Sequence, residues 1–286
     1  MKVEIRCPIC SKMGVVEISD EVFKNISRGL LAVNVTDNTI CPHSFNLYID
    51  KNLNIRDYFI ADIQIKTPEM VLDKESESRV SSSAKDFDLD LIKITLLPQT
   101  MAYMIRAISF GKKICLILDE DHLHNHIIKF LEFITQNSFN FMYKLITRQE
   151  YKNQKKEFSD YLVLENNKII KDKEKILDPK SMVIERKITQ KFFAEYDSDS
   201  SLMGLKNEIQ KLSILSTSIG QFIKNSKEKK KIDIIKITNH LEELYNFKIS
   251  TIYTDYLLLI VEKYHGIPIP KSLKNVSKLL SGISLF

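Results

Sequence analysis

The sequence predicts a mixed multidomain fold of the α+β / α/β kind: an N-terminal β module, a central α/β domain and a C-terminal helical region. Three observations predict it. Through residues 1–66 apolar and polar residues alternate, the period of half-buried strands. Between 89 and 196 short apolar runs alternate with segments of helical periodicity, the pattern of an α/β layer. Over 197–286 apolar residues recur at steps of three and four, as on one face of a helix.

In the first segment Val3 and Ile5, then Val15, Val16 and Ile18, predict two strands. Asp20 is placed to cap a short helix through Val22, Phe23, Ile26 and Leu30. Residues 31–35 are extended in pattern, Asp37-Asn38 signals a turn, and Phe45 to Ile49 alternates. Asp50-Lys51-Asn52 turns the chain into a strand from Ile55 to Ile65. Residues 67–88 carry Asp73-Lys74-Glu75-Ser76-Glu77-Ser78 and Ser81-Ser82-Ser83, too little apolar surface to order itself, and predict a linker.

In the central segment Leu91, Ile92, Ile94, Leu96 and Leu97 are apolar, and Thr100 to Phe110 has helical spacing. Lys113 to Leu118 predicts a short buried strand, Asp121 to Thr135 a helix, Phe139 to Ile146 a strand and Arg148 to Phe158 a charged helix. Asn166-Asn167 between Tyr161–Leu164 and Ile169-Ile170 predicts a hairpin. Beyond 197, Leu202, Leu205, Ile209, Leu212, Ile219 and Ile223 keep coiled-coil spacing over about three heptads. The stripe has two readings, packing within the chain or a homodimer seam over 202–223. After the lysine-rich break at 227–231, helices are expected from Ile232 to Tyr245, Ser250 to Tyr264 and Ser272 to Leu280.

Composition bounds the function. The chain has 286 residues, and 42 Lys plus Arg against 37 Asp plus Glu leave a formal charge of +5. That excess is too mild to mark a dedicated nucleic-acid binder, and basic and acidic residues are interleaved almost everywhere. The charged N-terminus predicts no signal peptide, and no apolar run is long enough for a transmembrane segment, so a cytoplasmic protein is expected. Four cysteines in this length do not make a disulfide scaffold.

Two of those cysteines form Cys7-Pro8-Ile9-Cys10, and a third stands in Cys41-Pro42-His43. Two thiols separated by two residues let one tight turn present both sulfurs to a single ion, and zinc in structural sites takes four Cys or His ligands. Cys7, Cys10, Cys41 and His43 are therefore the candidate ligands of a structural zinc. Over residues 2–60 the arrangement resembles zinc-ribbon modules, in which two knuckles flanked by strands pinch one metal. It departs from them twice. Ser11 stands where a glycine usually follows the first knuckle, with Gly14 three residues on, and the second knuckle is Cys-x-His. Its turn is then tighter, or Asp50 is the nearest substitute ligand. Metal and folding are coupled in such modules, so loss of the site is expected to unfold the first 60 or so residues.

Asp119-Glu120-Asp121-His122-Leu123-His124-Asn125-His126 follows the strand ending at Leu118. Open α/β sheets place ligands at that end of their strands. Asp119, Asp121, His122 and His126 are thus candidates for a second metal or acid–base site. The opposing reading is a helix start, where acids complement the dipole and the histidines need no role.

Met104-Ile105-Arg106-Ala107-Ile108, followed by Lys112 to Leu118, resembles the helix-then-strand unit of phospholipase D-like domains. That family's His-x-Lys would fall on the hairpin, where this chain has Tyr161-Leu162-Val163-Leu164-Glu165, so the resemblance concerns fold and implies no chemistry. Phosphate-binding glycine loops and nucleophile elbows are absent. Cys115, with no basic neighbour in its strand, reads as core. Together these favour a non-catalytic zinc-binding interaction or regulatory protein with a protein partner. A nucleic-acid-associated factor is the alternative, and a metal-dependent enzyme using residues 119–126 the second alternative.

Overall fold

A computed structural model of the chain describes residues 1–7, 10–19, 30–35, 39–41, 45–60, 86–195, 197–226 and 232–269. The expected helix from Asp20, residues 61–65 of the expected strand, residues 67–85 of the expected 67–88 linker, His43, the lysine-rich run 227–231 and the last helix from Ser272 lie outside the described residues.

The mixed fold class holds, with three small sheets among the described residues and helices that dominate the C-terminal half. Strands β1 (Lys2–Arg6) and β2 (Met13–Glu17) form an antiparallel hairpin. Strands β3 (Leu30–Val35), β4 (Phe45–Asp50) and β5 (Ile55–Ile60) form an antiparallel meander. The third sheet has the order β7-β6-β8-β9, from β6 (Ile114–Ile117), β7 (Tyr143–Ile146), β8 (Leu162–Glu165) and β9 (Lys168–Lys171). Its first three strands are parallel, and β9 closes it as an antiparallel hairpin with β8.

The helices are α1 (Leu89–Thr95), α2 (Pro98–Ser109), α3 (Asp121–Thr135), α4 (Arg148–Gln154), α5 (Val183–Ala194), α6 (Ser198–Asn225), α7 (Ile234–Tyr245) and α8 (Thr251–Lys263). Most begin on a side-chain oxygen that satisfies a free N–H. Asp88 accepts from Asp90 and Leu91, Asp197 from Ser200, Asp233 from Lys236 and Ser250 from Tyr253. Thr147 and Glu150 form a reciprocal capping box at α4. Helix α2 differs, since its N-cap Leu97 has no polar side chain. Asp57 of β5 supplies the missing acceptor, its Oδ2 taking the Gln99 N–H at 3.1 Å. Burial pushes the Asp57 carboxyl above its ordinary value, although this hydrogen bond pulls the other way.

The meander is a shared layer, and strand alternation makes it one. From β3, Leu31, Val33 and Val35 join Phe45, Leu47 and Ile49 of β4 and Val3, Ile5 and Cys7 of the hairpin in an N-terminal core. The intervening Leu30, Ala32 and Tyr48 face the other way, into the main core with α5, where Tyr48 meets Phe193 edge-on. That main core is continuous from α1 and α2 through α3 to α6, α7 and α8. Leu202, Leu205, Ile209, Leu212, Ile219 and Ile223 of α6 are buried within it, so the heptad-spaced stripe packs inside the chain. Each such burial is worth about 1.5–3 kcal/mol.

Two elements are shorter than their patterns suggest. The strand expected over 139–146 begins only at Tyr143, because Asn137 turns with φ +60° and Phe139 packs edge-on against Tyr264. The helix expected to reach Phe158 stops at Gln154, and successive turns bond Glu157, Ser159 and Tyr161 to the carbonyls of Gln154, Lys156 and Phe158. Among the described residues no helix is long and apolar enough to cross a membrane.

Candidate metal centre

The first knuckle is the turn of the β1–β2 hairpin. The Cys7 N–H donates to the Lys12 carbonyl and the Ser11 N–H to the Cys7 carbonyl, both at 2.9 Å, which joins Cys7 to the residues that lead into β2. Cys41 arrives from the segment before β4. The sulfurs of Cys7, Cys10 and Cys41 all lie within 4.8 Å of one another, close enough to hold one metal ion. Cys7 and Cys41 are buried in the N-terminal core, while Cys10 is exposed. The sequence-predicted fourth ligand, His43, is outside the described residues. Asp50, the substitute, is not part of the cluster. Its Oδ1 accepts from the N–H groups of Asn52 and Asn54 at 2.8 and 3.0 Å, and Arg56 lies 3.7 Å from its Oδ2. Burial would raise the Asp50 carboxyl, but those hydrogen bonds outweigh it and hold it below its ordinary value.

Two residues beside the sulfurs show how the turn is built. Ser11 has φ +62°, the left-handed region that glycine adopts freely. A non-glycine residue pays about 1–2 kcal/mol there, and glycine's extra backbone entropy returns roughly 0.5–1 kcal/mol of that. Ser11→Gly is therefore expected to stabilise the knuckle by about 0.5–1 kcal/mol, read as a higher melting temperature. A lower one would show that the serine hydroxyl contributes more than its backbone costs.

Gly14, noted in the sequence only for its spacing, has a packing role. It lies on β2 opposite Ile5, and a Cβ there would sit 2.6 Å from Ile40 Cγ1 and 2.8 Å from Cγ2. Ile40 precedes Cys41, so the missing side chain lets the segment of the third cysteine lie down on the hairpin. Gly14→Val is expected to weaken metal binding by about tenfold or more, since overpacking of this kind costs roughly 1–3 kcal/mol. Competition with a chromophoric chelator measures it, and an unchanged affinity would show that Ile40 yields freely.

The four residues at the end of β6 are not gathered in this way. Asp119 Oδ1 accepts from the Arg148 N–H at 2.7 Å, at the start of α4. His126 Nδ1 accepts from the Asp88 N–H at 3.0 Å, which ties α3 to the entry of α1. Asp121 and His122 are exposed in the first turn of α3. Their neighbour His124 spends Nε2 on the Leu118 carbonyl at 2.9 Å. Among the described residues only the cysteine trio brings three such ligand atoms together. Cys115 is buried in β6, and burial pushes its thiol up to about 12 despite Lys144 nearby, which keeps it a protonated core residue. No protein-family model matches the sequence, and no curated protein matches it.

Proposed function

We propose that this chain is a non-catalytic zinc protein that acts through protein–protein contacts, its N-terminal layer held by one zinc-ribbon-like site. The convergence of Cys7, Cys10 and Cys41 carries the reading. A donor set of thiols selects a soft or borderline ion, and a tetrahedral thiolate site is the preference of zinc. Two ligands come from a knuckle at a hairpin turn and one from the strand-flanked segment that packs on it, with His43 expected to complete the tetrahedron. An ion with four protein ligands has no open position for substrate, which suits a scaffold role. In the 119–126 segment Asp119, His124 and His126 serve backbone N–H and carbonyl groups instead, and Asp121 and His122 are exposed in the first turn of α3.

Metal counting on the purified full chain, followed by cobalt substitution, tests the site. One ion per chain with a tetrahedral thiolate-to-cobalt spectrum is expected. Two ions, or hydrolytic turnover lost on Asp121→Ala or His122→Ala, would overturn the reading in favour of metal-dependent catalysis. The interaction role requires that a partner captured by the zinc-loaded chain be released by the Cys7→Ser variant. A partner set indifferent to that variant would remove the zinc site from the interaction.

A further inference from the structure

The β7-β6-β8-β9 sheet has two unlike faces. One presents Ile114, Leu116, Leu162 and Leu164 to the main core. On the other, Cys115, Ile117, Ile146 and Val163 form a separate small cluster covered by Tyr151 of α4 and by Phe158 and Tyr161 of the turns that follow. The register sets Lys144, Cys115, Val163 and Lys171 in one row across the four strands. Three steps between strands make that row about 14 Å long.

Lysines flank the aromatic cover from both ends of the row. Lys144 Nζ lies 5.8 Å from the Phe158 ring centroid, and Lys171 Nζ donates to the Phe158 carbonyl at 3.1 Å. Lys113 Nζ lies 5.8 Å from the Tyr161 ring, which is itself 5.3 Å from Phe158. Lys155 and Lys156 are exposed in the turn just before Phe158. Among the described residues none of these five ammonium groups forms an ion pair, and the carboxylates of the same turn are Glu157 and Asp160. The mild net charge of the whole chain therefore conceals a local excess of positive charge among aromatic rings.

We propose that the outer surface of this aromatic cover binds single-stranded nucleic acid, the lysines taking successive phosphates and the half-exposed Tyr161 ring offering a stacking surface for a base. A lone phosphoryl group cannot span the row, whereas a phosphodiester backbone places charges along a line. Phe158 and Tyr151 are buried, but the half-exposed Tyr161 ring set among cations suits an unpaired base, whose flat face a duplex hides. The inference rests on this cover and the lysines around it, and stands apart from the cysteine site.

Fluorescence anisotropy of a labelled oligouridine with the full-length, metal-loaded chain tests it. Binding is expected at low salt, weakening steeply as salt rises. Lys155→Glu with Lys156→Glu is expected to lower affinity about tenfold or more, and to flatten the slope of log affinity against log salt by about 1.4. The same charge change at exposed positions on elements outside this sheet, Lys51→Glu in the β4–β5 turn with Lys236→Glu on α7, is expected to leave affinity near the parent value. Tyr161→Leu is expected to weaken oligouridine binding but not binding of inorganic polyphosphate. Circular dichroism verifies each fold, and Lys155→Gln with Lys156→Gln replaces the reversal if that pair does not fold. No binding at low salt, equal loss from both charge-reversal pairs, or tighter binding to phosphatidylserine vesicles than to oligouridine would overturn the proposal.

Discussion

Arg106→Met is expected to destabilise the chain by about 3–5 kcal/mol, because it leaves the Glu185 carboxylate buried without its counter-charge. Arg106 is 3 % exposed and Glu185 0 %. The arginine Nε donates to the Glu185 carboxylate, Nη1 to Ser181 Oγ at 2.8 Å and the Ile176 carbonyl at 3.2 Å, and Nη2 to the Ser181 carbonyl at 2.8 Å. Burial works against the guanidinium's charge, yet Glu185 outweighs it and holds Arg106 above its ordinary value. One side chain of α2 thus ties α5 to the segment before it. Ser109, a turn further on, bonds the Tyr256 hydroxyl of α8 at 2.9 Å.

A domain stable by about 5–15 kcal/mol can lose a large share of that through one such change. The double replacement Arg106→Met with Glu185→Leu removes both charges and is expected to recover part of the loss. It does not recover all of it, since the carbonyls of Ile176 and Ser181 lose their donor at about 1–3 kcal/mol for each unsatisfied group. Urea unfolding with an unchanged m-value measures both variants. A single variant costing less than about 1 kcal/mol would mean that water reaches Glu185 and the pair is not sealed.

The sequence made local features legible and long-range polar contacts illegible. Helix α3 runs from Asp121 to Thr135 as expected, because its apolar face and acidic first turn are both local signals. The β8–β9 hairpin likewise follows from its Asn dipeptide, and Asn166 takes the positive φ of +50° that such a turn requires. Arg106 lies inside a segment read for its apolar periodicity, and its partner is 79 residues away. Asp57 accepts from the first turn of a helix that starts beyond the expected linker, and no local signal around Leu97 points to it. In the metal centre the cysteine spacing identified the trio. The close approach of Ile40 to Gly14 depends on how two segments pack, which neither one encodes alone.

Chelating the metal, or replacing Cys7 with serine, is expected to unfold β1–β2 and the segment before β4 while β3–β4–β5 stays largely folded. This is narrower than the loss of some 60 residues that a free-standing ribbon implies, and the difference follows from the shared layer. In zinc-finger peptides a structural zinc supplies on the order of 10 kcal/mol of folding energy, and the few side chains that the hairpin adds to the N-terminal core, Val3, Ile5 and Cys7, are a weak substitute. The meander has a second anchorage. Tyr48, Leu30 and Ala32 pack into the main core, and Asp57 holds the start of α2, none of which depends on the thiols. Hydrogen exchange on the apo chain is expected to strip protection from Lys2–Arg6 and Met13–Glu17 while the amides of β4 exchange more slowly than those of the hairpin. Protection kept by the hairpin after chelation would mean that apolar packing alone holds it. Loss of protection throughout β3–β5 would mean instead that the N-terminal core, rather than Tyr48 and Asp57, holds the meander on the body.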